Sequence, residues 1–187
     1  MYTVRFLKHS EYYKYLEFMR DQDQETKSSY FGYPIGDDGF KQLMCQILDN
    51  SQDHEFVVAE NCNNEIVGLL HVARMNSDTA EFAVAVNKNA RRQGIGDQMM
   101  QLAKLHCRNS GYKNVGMYYV NENLPVASLA MKHGLGIYRK NRGDDFAYQD
   151  LPVATPFSWW YEAMLVSMQE CQSLLKAFNP TIYLGAA

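Results

Sequence analysis

The sequence lacks any pair of cysteines at CxxC spacing. Its four cysteines, at 45, 62, 107 and 171, are scattered, which excludes the usual zinc and redox pairings and points to reduced thiols in a cytoplasmic compartment. The five histidines, at 9, 54, 71, 106 and 133, stand singly, so no metal site is expected. Positive charge is not in excess: the net charge is -3 and the pI about 5.9. Nucleic-acid backbones and anionic membranes select strongly basic faces, so neither is an expected partner. No apolar run reaches the ~18 residues of a membrane span. The opening MYTVRFLKHSEYYKYL is studded with charge where a secretory signal needs an apolar stretch. Internal repeats, low-complexity segments and long linkers are also missing. What is there is a globular composition, 47% hydrophobic and 21% charged. It suits one domain over residues 1–187, with a core of about 1–153 and a helix of about 157–178 beyond it.

Hydrophobic periodicity sets out the elements. Thr3 to Leu7 reads as a strand. Glu11 to Arg20 reads as a helix, with Tyr12, Tyr15, Leu16 and Met19 on one stripe. An irregular stretch containing SSYFGYPIGDDG follows, then a second helix over Phe40 to Leu48. The period then shortens to two. EFVVAE (55–60) and EIVGLLHVAR (65–74) form a hairpin across an Asn-rich turn, and AEFAVAV (80–86) is a third strand. Ile95 to Asn109 is a helix stopped near Gly111, Val115 to Val120 a strand, and Pro125 to His133 a short helix closed by Gly134. Ile137 to Lys140 and Phe146 to Asp150 can pair across a loop at Asn141 to Asp145. Last comes a long amphipathic helix, Phe157 to Phe178, with Trp160, Met164, Leu165, Met168, Cys171, Leu175 and Phe178 at spacings of three and four. The order is a mixed α/β plan with a strand-loop-helix unit at its centre.

That unit carries the first chemical signal. The strand at 80–86 feeds NKNARRQGIG, which opens a helix. Helix N-termini hold unpaired N–H groups and about half a positive charge. Gly94 and Gly96 let backbone approach an anion, and Arg91 and Arg92 can add charge-assisted contacts. A flexible loop with solvated arginines is the plainer alternative. The loop is neither a P-loop, since GxxxxGK[ST] is absent, nor a dinucleotide fingerprint, since Asp97-Gln98-Met99 supplies no third glycine.

The surroundings make a family recognisable. Residues 55–135 resemble the GNAT superfamily of acetyl-CoA-dependent N-acetyltransferases. Arg91-Arg92-Gln93-Gly94-Ile95-Gly96 matches that family's [Q/R]-x-x-G-x-[G/A] loop, and Ala80-Glu81-Phe82-Ala83-Val84-Ala85-Val86 matches the strand before it. EIVGLLHV resembles the family's "ivG" strand. Asn123, Leu129, Lys132, Gly134 and Leu135 fall in register with its later N-x-x-A-x-x-L-Y-x-K-x-G-F pattern. The strand motif is closest to the protein-lysine acetyltransferase-like branch. The resemblance implies an α/β (α+β) fold of GNAT type: a mixed, mostly antiparallel sheet flanked by helices, with two central strands splayed apart. The final helix is extra to it. It also implies that acetyl-CoA is the cosubstrate, with no metal. Its pantetheine arm would lie along Val84, Ala85 and Val86, and its pyrophosphate on the loop Arg91, Arg92, Gln93, Gly94, Ile95, Gly96 and Asp97. Asn123 is a further expected cofactor contact, although Asn is also a preferred helix cap. Asp97 departs from the family, which more often has a basic or hydroxyl residue there. Its carboxylate would repel phosphates, so its side chain is expected to turn away.

Transfer to an amine requires a neutral amine, and deprotonating a lysine-like one near neutral pH costs about 4–5 kcal/mol. Glu81 is the expected general base, as the glutamate of the same pair is in that branch. The alternative is that it only starts the strand and faces water. A bulge, common in this family strand, would break the parity that puts Glu81 with Ala83 and Ala85. A strand N–H near Val84 or Ala85 would stabilise the oxyanion. Ala130 stands where many relatives carry a proton-donating tyrosine, leaving Tyr118, Tyr119, Ser128 or unassisted thiolate departure. Lys132 is expected at the surface, and His133 and Cys107 as structural. The acceptor is expected to be a primary amine, small-molecule or protein-borne. Tyr30, Phe31 and Tyr33 either line its pocket or close the core, and the acidic Asp37, Asp38, Asp49, Asp53 and Glu55 are expected as a solvated face. Trp159, Trp160 and Tyr161 are expected to pack on the sheet, with a homodimer contact or a lid as alternatives. The competing function is a non-catalytic acyl-CoA-binding or protein-interaction module.

Overall fold

In the computed structural model, residues 2–120, 123–139 and 144–178 are described, the side chains at 139, 144 and 173–178 excepted. Seven strands pair in the order β1–β2–β3–β4–β5–β7–β6. They are β1 Thr3–Phe6, β2 His54–Glu60, β3 Ile66–Arg74, β4 Thr79–Val86, β5 Asn114–Val120, β6 Gly136–Arg139 and β7 Asp144–Asp150. Every pairing is antiparallel except β4 with β5. The hairpin expected near the end of the chain is β6–β7; Lys140 and loop residues 141–143 lie outside the described residues.

Alternation in the strands divides the core in two. On one face Leu70, Val72, Phe82, Val115 and Met117 meet Ile95, Met99, Leu102 and Ala103 of helix α4, Ile95–Asn109. On the other, Phe56, Val58, Leu69 and Ala85 meet α1, Tyr13–Arg20, α2, Gln24–Phe31, and α3, Asp37–Asp49. These helices contribute Tyr15, Met19, Tyr30, Met44 and Ile47. Phe82 and Met99 have no exposed surface, and truncating such a side chain to Ala costs about 2–5 kcal/mol. Helix α5, Leu124–Lys132, lies on the α4 face, and α6, Pro156–Phe178, packs on α4 and β1.

Three expectations change. The first helix starts later, because His9–Glu11 is a 3-10 turn. The stretch before Gly32, expected to be irregular, contains α2. Asp23 caps it by accepting from the Thr26 amide at 2.8 Å, and Gly32 ends it at a φ of 78°. The aromatic start of α6 does not pack on the sheet: Trp159, Trp160 and Tyr161 are 55%, 59% and 40% exposed. The inward face of the helix is given instead to Ser158, Glu162 and Leu165.

Candidate active site

The site begins where two strands part. β4 and β5 run parallel for three rungs only: Thr79 with Asn114, Ala80 with Val115, and Glu81 with Gly116. Beyond Glu81, the residues Phe82 to Val86 have β3 on one side and no strand partner on the side of β5. Val84, Ala85 and Val86 therefore flank a fork whose apex is Glu81. β4 pairs with β3 without a bulge from Ala80 to Val86; the register shift falls instead between Ala59 and Glu60. The parity expected for Glu81, Ala83 and Ala85 thus holds, and they face α1–α3 while Phe82 faces α4.

At the end of β4 the chain makes a short turn over Lys88–Ala90 and enters α4 through two left-handed residues, Arg92 at φ 64° and Gly94 at φ 77°. Alternating handedness of this kind turns successive N–H groups to one side and builds an anion cradle. Gly94 caps α4, and a Cβ there would meet open space, so its glycine answers to conformation rather than to crowding. Gln98 makes the first helical hydrogen bond, its N–H donating to the Gly94 carbonyl at 3.1 Å. The amides of Ile95, Gly96 and Asp97 precede it and have no acceptor within the helix. The arrangement fits a phosphate group.

The charged side chains of the loop divide their work. Arg91 is a brace: its Nε donates to the Val86 carbonyl at 2.9 Å and its Nη2 to the Thr26 hydroxyl at 3.3 Å. Gln93 accepts from the Tyr2 hydroxyl at 2.9 Å. Arg92 lies exposed on the loop. Asp97 turns to the end of α5, where Oδ1 meets Lys132 Nζ at 2.9 Å and His133 Nε2 at 2.8 Å. Lys132 above all, together with His133, holds this carboxyl below its ordinary range. The repulsion that an aspartate would bring to this loop is thereby neutralised locally. Asn123 caps α5, accepting from the Val126 amide at 3.3 Å, and its side-chain amide donates to the Ser29 hydroxyl.

Around Glu81 the floor is small. Its neighbours in register are Ala73 and Gly116, with Ala83 two residues along. Gly116 makes room for Phe146: a Cβ there would lie 2.7 Å from its ring and would displace it. Phe146 in turn packs on Tyr118, ring centroids 4.5 Å apart, giving an aromatic wall on the β5 side. Above stands Tyr30 of α2, buried. Burial chiefly, then Tyr15 and then the Glu81 carboxylate, push the Tyr30 hydroxyl well above its ordinary pKa. The Tyr15 and Tyr30 hydroxyls are buried beside each other, and neither makes a well-formed hydrogen bond among the described residues. Burial also raises Glu81 above the ordinary glutamate value, which suits a base working near neutrality.

Ala130 is fully buried. Of the other expected proton donors, Ser128 is exposed, and Tyr118 stands against Phe146 on the Glu81 face of the sheet. Tyr119 is 2% exposed in the same core cluster as Ala130, its hydroxyl without a partner among the described residues and shifted upward by burial and by Asp145.

Sequence reasoning missed two parts of this site. α2 spans the fork, reaching one bank through Thr26–Arg91 and the other through Ser29–Asn123. Positions 26, 29 and 30 share a helix face, and that spacing, with the Asp23 cap, was the available signal. Phe146 and Tyr118 were unreadable as a wall because only the β5–β7 register brings them together.

Residues 52–141 match the model of the acetyltransferase (GNAT) domain family. No curated protein matches the chain by sequence. Among solved structures, the GNAT domain of PAT from S. lividans is similar at a TM-score of 0.66 and 16% identity, covering 79% of this chain and 89% of that one. The PaiA N-acetyltransferase of Thermoplasma acidophilum, in complex with coenzyme A, gives 0.61 and 16%, covering 80% and 99%. The spermidine N-acetyltransferase of Vibrio cholerae, in complex with CoA and spermine, gives 0.59 and 16%, covering 80% and 95%. At these identities the likeness is one of fold.

Proposed function

Because residues 52–141 are a GNAT acetyltransferase domain, we propose that this chain transfers the acetyl group of acetyl-CoA to a primary amine, small-molecule or protein-borne. One observation carries the reading. The fork between β4 and β5 opens at Glu81 and leads to the open amides of α4, so an extended thioester with a phosphate at its far end has a complete berth. The amides of Ile95, Gly96 and Asp97 hold the pyrophosphate, with Arg92 adding charge. Along Val84, Ala85 and Val86, the backbone of Val84 and the N–H of Val86 turn to the fork and are open to the pantetheine, while Ala85 pairs with Leu69 of β3 and the Val86 carbonyl is held by Arg91; Asn123 closes the other bank.

Acetyl-CoA supplies the activated acyl group. Glu81 takes the proton of the incoming ammonium, directly or through one water, and the N–H of Val84, which turns to the fork while that of Ala85 pairs with β3, donates to the thioester oxygen as it gains charge. Tyr119 is the residue we assign to protonate the leaving thiolate, since its hydroxyl, without a partner among the described residues, belongs to the core cluster that holds Ala130. The aromatic wall and the acid suit an approaching cation. The competing reading, a binding module without turnover, draws on the missing tyrosine at position 130.

The experiment is a thermal shift with acetyl-CoA, CoA and ATP in parallel, followed by turnover of an amine panel with Glu81→Gln beside the wild type. Stabilisation by acetyl-CoA and CoA but not ATP is expected, worth about 2.7 kcal/mol at 100 times Kd. Glu81→Gln is expected to bind acetyl-CoA as tightly and to lose roughly 10²–10⁴-fold in kcat. Unchanged turnover would remove Glu81 from the chemistry. Binding without turnover of any amine would favour the module.

A further inference from the structure

Helix α6 carries a surface that acetyl transfer does not use. Phe157, Trp160, Tyr161, Met164, Met168 and Cys171 recur at spacings of three and four and form one stripe free of charged residues. The stripe runs about 21 Å, four turns of helix. Phe157, Trp160, Tyr161 and Met168 are 69%, 59%, 40% and 52% exposed. The rings stack on one another rather than on the domain: Phe157 lies 5.8 Å from Trp160 and 6.3 Å from Tyr161 between centroids.

The opposite face of α6 is fastened firmly. Thr155 and Ser158 cap the helix reciprocally, each amide donating to the other's hydroxyl at 2.9 and 3.1 Å. Ser158 Oγ donates to Asn109 Oδ1, and Asn109 Nδ2 donates to Glu162 at 2.6 Å. Glu162 also pairs with His106 at 2.6 Å, and His106 with Glu55 at 3.0 Å. The stripe is thus presented on a fixed support, and little ordering entropy opposes its burial.

We infer that this stripe is a homodimer interface, in which α6 packs on α6 of a second copy about a two-fold axis. The area argues for this occupant. Aromatic residues offer 150–250 Å² each. At the exposures above, the stripe presents roughly 450–550 Å² per chain; Trp159 lies on the other side of the helix, its indole N–H donating to the Asn109 carbonyl at 3.3 Å. Two copies can bury at most about 1,000 Å², the threshold for a biological interface and the size of a weak, concentration-dependent dimer. An uncharged stripe is self-complementary, as a two-fold contact requires, and its size is at the upper end of the largest apolar patches monomers expose, which are often functional. The interface uses neither Glu81 nor the α4 mouth, so its test does not depend on acetyl transfer.

Sedimentation equilibrium over a protomer range of 1–100 μM tests it. The wild type is expected near 43 kDa, twice the chain mass of 21.5 kDa. A Trp160→Glu/Met164→Glu variant is expected at the chain mass with an unchanged far-ultraviolet spectrum. Met75→Glu, which places a charge on an equally exposed apolar residue elsewhere (55%), is expected to stay dimeric. A monomeric wild type at 100 μM overturns the proposal, as does a double variant that still dimerises. If the double variant loses its fold, Trp160→Gln replaces it, and a dimer dissociation constant unchanged from wild type then counts against the interface.

Discussion

Arg92 holds a left-handed backbone at φ 64°, a conformation that costs a non-glycine residue about 1–2 kcal/mol. Asn64 does the same at φ 61°, but Asn in a turn tolerates it. An arginine kept in such a place points to function rather than folding. Arg92→Gly is therefore expected to raise the Tm of the unliganded protein by about 2–4 °C while weakening CoA binding, measured by scanning fluorimetry and calorimetry. A lowered Tm would show that the loop gains from arginine structurally. Glu81 carries the second residue-scale prediction. Burial raises its pKa, so the base is protonated earlier as pH falls than an ordinary glutamate of 4.5 would be. The acid limb of kcat/KM should lie above that value and vanish in Glu81→Gln; a limb shared by both proteins would assign the titration elsewhere.

Among the elements, those with one clear period were legible. α4 was readable to the residue because Ile95, Met99, Leu102 and Ala103 form a single stripe, and the strand before it because its alternation is unbroken by a bulge. α2 was not, because its apolar residues do not gather on one face; it is helical through its Asp23 cap and its packing across the fork. That helix spans the fork, so the strand and loop of the candidate site were readable and the helix across them was not. Tyr30 tests that helix. The Tyr30 hydroxyl has at best a weak contact with that of Tyr15, and a buried hydroxyl left unsatisfied costs about 1–3 kcal/mol. Tyr30→Phe is expected to hold or raise the Tm of the unliganded protein and to raise KM for the amine more than it lowers kcat. A marked loss of Tm would show that the hydroxyl is satisfied in the folded protein and would return Tyr30 to the core.

For the molecule as a whole, the aromatic start of α6 shows why packing direction escapes a sequence. Periodicity reports that a helix has an apolar stripe, not what the stripe meets. Here the polar side makes the intramolecular contact, through His106 held between Glu55 of β2 and Glu162 of α6. Burial pulls His106 down, but the hydrogen bonds to Glu162 and Glu55 more than reverse this, to about 9. Burial likewise pushes Glu162 up, and its bonds from His106 and Asn109 hold it below the ordinary value. The two signs bound a window. The His106 contribution is complete below its unfolded pKa of 6.5 and is lost as pH rises through about 9. The Glu162 contribution is present above 4.5 and is lost as pH falls through its depressed value. From pH 6.5 to 9.5 the Tm should therefore fall by several degrees, His106 accounting for at most about 3 kcal/mol. In His106→Gln this decline should flatten, and the protein should start from a lower Tm at pH 6.5. An equal slope in both proteins would mean that α6 is held by its apolar contacts alone. A decline that persists in His106→Gln but disappears in Trp160→Glu/Met164→Glu would move the pH sensitivity from this ion-pair latch to the outer stripe.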